Sequence, residues 1–245
     1  MISVRQLSKT LGTQQVLRGV DLEIENGRTC VILGRSGCGK SVLLKHLIGL
    51  FQPTSGEVWV DGEEITKLSE RKLGGIRKKV GMLFQSGALF DSMNVEQNLA
   101  FPLRETGVKS EDEIRDRVAE ALEMVDLAGE QKKMPEKLSG GMRKRVGLAR
   151  TIVGRPACIL YDEPTTGLDP IATDSINHLI RRLQKRLAVT SVVVTHDMKT
   201  AFHTADRVAF MHEGRIHFCG TVDEVRASKD PLLADFIHGH SGESD

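Results

Sequence analysis

Three groups of residues in this chain have the types and spacing to do chemistry on phosphate. The first is Gly34-Arg35-Ser36-Gly37-Cys38-Gly39-Lys40-Ser41, a G-x-x-x-x-G-K-S run. Glycines in such a turn adopt positive φ and approach an anion closely, so successive amide N–H groups can point at phosphate oxygens. The lysine reaches β- and γ-phosphates, and the serine offers its hydroxyl to Mg²⁺. The second group is Asp162-Glu163, in which the Asp can hold Mg²⁺ through a water and the Glu can polarise an attacking water. The third is Leu138-Ser139-Gly140-Gly141-Met142, a helix start whose hydroxyl and glycine amides suit a further phosphate. A chain needs only one γ-phosphate site, so the third group makes sense if it serves the nucleotide of a second copy across a two-fold axis.

These groups need elements to position them. The apolar run Thr29–Leu33 predicts a strand leading into the glycine turn, and a helix from Ser41 to about Ile48 then puts its positive end at the same place. Cys158–Tyr161 predicts a buried strand delivering the two acids, and Ser139 caps a helix that begins at Gly140. Strands at Ile2–Leu7, Val16–Ile24 and Gly56–Val60, with turns at Asn26-Gly27 and Asp61-Gly62, predict an antiparallel β layer near the N-terminus. A short basic helix is expected at Glu70–Lys79, weakened by Gly74-Gly75, and a strand from Val80 ending at Gln85. Between residues 86 and 154 the pattern turns helical. There Ser110-x-x-Glu113 reads as a capping box, opening a helix with Ile114, Val118, Ala121, Leu122 and Val125 on one face. The basic residues Arg143, Lys144, Arg145 and Arg150 read as a solvated helix face. Strands at Ser191–Thr195 and Arg207–Met211 then alternate with helices at about Ile171–Leu187 and Met198–Ala205, the pattern of a mainly parallel sheet. A closing hairpin over His212–Phe218 and two short helices, Val222–Ala227 and Pro231–Ile237, lead to an end expected to be loose from Gly239 to Asp245.

At 245 residues and 40% hydrophobic composition the chain can bury a core of normal size. No stretch approaches the roughly 18 consecutive apolar residues of a membrane span, so a membrane role is expected to come through a partner. The formal net charge of +1 carries no nucleic-acid footprint. Cys30, Cys38, Cys158 and Cys219 have no C-x-x-C spacing and read as reduced thiols of a cytoplasmic protein. Cys38, beside a helix N-terminus, either has a depressed pKa or simply fills the loop.

Taken together, the motifs at 34–41, Gln85, 138–142, 162–163, Gly167-Leu168-Asp169 and His196 occur in an order that resembles the ATP-binding cassette (ABC) ATPases, over about residues 1–225. The resemblance implies an α/β P-loop fold with a mainly parallel core sheet and an antiparallel β layer in residues 1–85 and 155–225. A helical subdomain would occupy 86–154, and a C-terminal helix and tail 226–245. It implies ATP and Mg²⁺ as cofactors, with Ser41, Gln85 and Asp162 on the metal side and Glu163 as general base. Gln85 would move with a transport partner, His196 would contact the γ-phosphate and orient base and water, and Asp169 would make a contact across the dimer. Of the eight histidines only His196 has this context, and the others read as surface residues. The family places an aromatic ring where this chain has Leu11, so adenine stacking should be weaker, with Val16 supplying an apolar wall.

Two stretches narrow the resemblance. Met142 stands where most importer ATPases have Gln, between Lys133-Met-Pro135 and Arg143-Lys-Arg145. Met82 to Val95, continuing to Phe101-Pro-Leu, is distinctive too. Both are similar to the ATPases of Mce-type phospholipid transporters. This implies an integral-membrane permease docking near 86–95, an Mce-domain protein acting indirectly, and a location on the inner face of the cytoplasmic membrane. Phe84, Leu89, Phe90 and Met93 would line the docking groove, or else pack the insertion against the core. An ATPase of an amino-acid or other small-solute importer is the alternative, and a soluble ABC protein without a permease is less favoured, because the chain holds one cassette and no sustained heptads.

Overall fold

The computed structural model describes residues 1–239. They form two compact units, one of Met1–Ile76 with the chain from Thr190 onward, the other of Arg77–Val189. In the first unit β1 (Ile2–Leu11), β2 (Gln14–Ile24), β4 (Ser55–Val60) and β5 (Glu63–Glu64) make the antiparallel layer, in the order β2-β1-β4-β5. β3 (Thr29–Leu33) lies in a separate sheet, flanked by β8 (Thr190–Thr195) and β9 (Arg207–His212), parallel to both. β10 (Arg215–Gly220) closes that edge antiparallel to β9. All five residues of β3 and all six of β8 are buried, which is why both read as continuous apolar runs rather than alternating ones. The register sets Leu33 opposite Thr195, so the chain leaves the sheet at Gly34 and at His196 side by side. α1 (Lys40–His46) follows β3, and α7 (Met198–Thr204) follows β8, capped by Asp197 through the amides of Lys199 and Thr200.

In the second unit β6 (Val80–Leu83) and β7 (Cys158–Asp162) pair in parallel, with Leu83 opposite Tyr161. The segment at Gln85 and the acids at Asp162-Glu163 therefore emerge at the same end. Around this pair the unit is helical, with α3 (Val95–Glu105), α4 (Glu111–Met124), α5 (Gly140–Ile152) and α6 (Pro170–Leu187). The expected apolar face of α4 is buried in full, and Ser110 caps it by accepting from the Glu113 amide. The reciprocal half of that box is absent, since Glu113 turns to Arg117, 3.2 Å away. A complete capping box stands instead at α3, where Asn94 and Gln97 bond each other's backbone.

α2 (Glu70–Lys79) forms despite Gly74-Gly75, because Leu73 and Ile76 supply its buried side. α8 (Val222–Ala227) and α9 (Pro231–His238) end the described chain, with Gly239 at φ 72 as the left-handed residue that stops α9. The rest of the expected loose end, 240–245, lies outside the described residues.

Candidate functional site

In the first unit the glycine turn is shaped by its own chain. Gly39 sits at φ 109, and a Cβ there would come within 3.0 Å of the Val16 carbonyl oxygen. Gly37 is at φ 79. Gly34 is required for a different reason from the one expected: its φ is not positive, but a Cβ would press to 2.3 Å from the Met211 carbonyl oxygen. The sulfur of Cys38 lies against the same face, 2.9 Å from where that Cβ would be. Lys40 is 5% exposed, and its Nζ donates to the carbonyls of Gly34 at 2.8 Å and Arg35 at 3.0 Å. The ammonium is thus held over the turn before any anion arrives, so little side-chain entropy is lost on binding one. Ser41 follows as the second residue of α1, half-buried.

A cavity of about 390 Å³ opens beside the turn, lined by Arg35, Ser36, Gly37 and Cys38 together with Val16 and His212 among others. Val16 is thus one of the apolar residues facing this cavity. Leu11, the last residue of β1 and 41% exposed, is not part of the lining, and no Phe, Tyr or Trp is among the lining residues described. His196 is exposed at the end of β8. The expectation that the remaining histidines lie at the surface fails for His46, which is 1% exposed, with Nδ1 2.7 Å from the Val42 carbonyl oxygen. Burial holds its pKa below the ordinary 6.5. α1 turns that ring inward, a consequence of helical phase that a lone His does not announce.

In the second unit Asp162 is 7% exposed and Glu163 9%. Glu163 has φ 49, the left-handed region that side-chain-bearing residues avoid, at a cost of about 1–3 kcal/mol. Surrounding bonds hold it there: its carbonyl accepts from the Thr166 amide at 3.3 Å, and its carboxylate accepts from the Thr166 hydroxyl at 3.2 Å. Lys144 Nζ also donates to the Glu163 carbonyl, at 3.4 Å, and to the carbonyl of Gln85. Gln85 and Glu163 are thereby brought to one ammonium. Lys144 is only 6% exposed, and burial pushes its pKa below the ordinary lysine value, with the nearby Glu163 and Asp162 acting the other way.

The reading of this basic run as a solvated face is therefore corrected for three of its four members. Arg145 donates to the Val125 carbonyl and to Asp126, and Arg150 donates to the Ala88 carbonyl at 2.6 Å with its guanidinium over the Phe90 ring. Only Arg143 is exposed. The contacts were not legible because they join positions far apart in the chain, 59 residues in the case of Lys144 and Gln85.

Ser139 accepts the Met142 amide at 3.2 Å and so caps α5 with a lone pair, leaving the hydroxyl proton as a donor. Ser139 and Gly140 are exposed and Gly141 half-buried. Neither glycine has positive φ, and a Cβ would make only ordinary contacts, 3.4 Å from Leu168 at Gly140 and 3.7 Å from Ala172 at Gly141. Asp169 caps α6, one carboxylate oxygen accepting from the amides of Ile171 and Ala172, each at 2.9 Å. That capping role was missed, although Pro170 at the first helical position signals it.

Comparison with known proteins places this geometry. The ABC transporter family profile matches residues 17–166. The chain is 43% identical over 97% of its length to a probable ribonucleotide transport ATP-binding protein of Mycobacterium leprae, of which it covers 69%. It is 40% identical over 98% of its length to the intermembrane phospholipid transport system ATP-binding protein MlaF of Haemophilus influenzae, covering 91% of that protein. A dimeric ATP-binding cassette solved in a post-hydrolysis state with ADP and Pi superimposes with a TM-score of 0.83 at 32% identity, over 91% of this chain and 99% of that one.

Proposed function

The chain belongs to the ABC transporter family of ATP-binding cassettes, and on that premise we propose that it hydrolyses ATP as the energising subunit of a phospholipid transporter. The observation that carries the ATPase reading is the tethered ammonium of Lys40 over a turn whose glycines its own backbone requires. In this reading the amides of Gly34 to Ser41 and Lys40 bind the phosphates. Ser41, Gln85 and Asp162 each offer an oxygen donor, the set Mg²⁺ prefers, and would hold that cation, which would neutralise phosphate charge. Glu163, kept by its strained backbone at the end of a buried strand, takes the proton of the attacking water. His196 orients that water and the base.

Ser139, Gly140 and Gly141 complete the site of a second copy, with Asp169 at the contact between copies. Among the described residues no contact leaves a Cβ at Gly140 or Gly141 short of room, which supports a requirement imposed by another copy. The direct test of the base is Glu163→Gln, which keeps ATP binding and lowers turnover by about 10²–10⁴. Turnover within a few-fold of the parent would reassign the base.

Phospholipid cargo is supported by the relative named for intermembrane phospholipid transport, of which the chain covers 91%, although another relative is named for ribonucleotide transport. No helix among the described residues is long and apolar enough to cross a membrane. In this reading a separate permease carries the cargo, and the chain works against it at the inner face of the cytoplasmic membrane. Its docking surface near 86–95 is supported by the exposed, edge-packed pair Phe90 and Phe101, with ring centroids 5.0 Å apart. A hollow of about 350 Å³ lined by Ser92, Met93, Gln97, Phe101 and Arg104 adjoins it. Phe90→Glu should leave ATP binding intact and abolish permease association and phospholipid-stimulated ATPase in reconstituted membranes. Retained stimulation would move the dock elsewhere.

A further inference from the structure

α5 is fastened along the whole segment that leaves β6. Thr151 donates its hydroxyl to the Met82 carbonyl at 3.3 Å, and Arg150 holds the Ala88 carbonyl and the Phe90 ring. A Cβ at Gly147 would strike Leu83 at 2.9 Å and Gly87 at 3.1 Å, so helix and segment touch backbone to backbone. Lys144 completes the row at Gln85, and it also reaches across to Glu163. An ammonium this buried is costly unless its charge and donors are met, and an apolar side chain would fill the same space without that cost. Its donors go to the peptide carbonyls of two residues that the proposed function gives separate tasks, the strained base and the partner-facing glutamine.

We infer that Lys144 is a positioning residue for hydrolysis, fixing the Glu163 peptide relative to Gln85 so that a displacement of the 85–90 segment moves the base. The inference rests on the reading of Glu163 as the base. Lys144 acts on the reaction through the Glu163 backbone: its ammonium meets the carbonyl oxygen, while the carboxylate accepts from the Thr166 hydroxyl. Rotation of that peptide at φ 49 redirects the side chain, and misplacement of a catalytic group by about 1 Å can cost about 10²-fold in rate.

The test uses the full chain with Lys144→Met, which keeps the stem and removes the donors, and Lys144→Arg, which restores charge and donors. For Lys144→Met we expect kcat for MgATP to fall about 10- to 100-fold while KM stays within about threefold. In the Glu163→Gln background it should still give the ATP-held dimer by light scattering. Lys144→Arg should recover most of kcat. Unchanged kcat in Lys144→Met overturns the inference. So does a joint loss of kcat, ATP binding and melting temperature that Lys144→Arg fails to rescue, because that pattern marks a packing residue. Should Lys144→Met not fold, Lys144→Gln, which keeps a donor but shortens the reach, is judged by the same criteria. Failure of the underlying reading looks different: Glu163→Gln itself would then hydrolyse ATP like the parent.

Discussion

Two helix starts in this protein carry glycines next to a hydroxyl residue, and they differ in what demands the glycine. At Gly34 and Gly39 the demand is internal, from the Met211 and Val16 carbonyls and from a φ of 109. At Gly140 and Gly141 the backbone is ordinary and a Cβ would make only ordinary contacts, with Leu168 and Ala172. The first motif is a site shaped by its own chain, with Lys40 already folded onto it. The second, in the proposed reading, is half of a site that another copy completes. On that reading similar glycine content serves conformation in one place and access in the other.

The comparison is most sharply divided by removing the hydrophilic group from each motif. Lys40→Ala should weaken ATP binding about 100-fold, the worth of a charge-assisted contact of roughly 1.5–3 kcal/mol, in a titration with labelled nucleotide. Ser139→Ala should leave that titration unchanged and abolish turnover; equal loss of binding in both variants would erase the distinction.

A smaller effect separates the glycines themselves. Gly34→Ala should lower unfolding free energy by about 1–3 kcal/mol in denaturant melts, because the new methyl has no room. Gly140→Ala should stay within about 0.5 kcal/mol of the parent, and a comparable loss there would mean that an internal constraint exists after all.

Base selection should be looser still, since the cavity beside the turn has no Phe, Tyr or Trp among its described lining. ATP preferred over GTP by more than about 100-fold, or about 2.7 kcal/mol, would show that another residue reads the base.

The smallest effect concerns how deeply the first motif is built in, because α1 ends on the buried His46. Its folded pKa lies below 6.5, so as pH falls below that value the unfolded chain takes up the proton first and stability declines. Urea melts of the parent and of His46→Asn should diverge between pH 7 and pH 5, the parent losing more; parallel curves would mean that His46 does not titrate on unfolding.

Much of this was legible in the sequence, and what was not shares a cause. β3 and the parallel strands follow from continuous apolar runs, and the apolar face of α4 follows from period. α2 was readable to its termini because Leu73 and Ile76 outweigh the two glycines between them. α3 was hidden as a separate helix by Pro102 in its interior, although Asn94-x-x-Gln97 announced its start. The candidate site residues were picked out by type and order. The burial of Lys144 and His46, the left-handed backbone of Glu163 and the steric reason for Gly34 were not, because each depends on residues brought close only by the tertiary fold.

The central claim, that Gly140 and Gly141 are kept for a second copy, is tested most directly by light scattering of Glu163→Gln and of Glu163→Gln with Gly141→Asp, each with MgATP. An acid in the first turn of a helix suits the helix dipole, so Gly141→Asp leaves α5 stable while placing negative charge where the other copy's phosphate would lie. The account predicts twice the 27.0 kDa chain mass for the single variant and the chain mass alone for the double variant, with ATP bound in both. Dimerisation of the double variant to the same extent as the single one would contradict it.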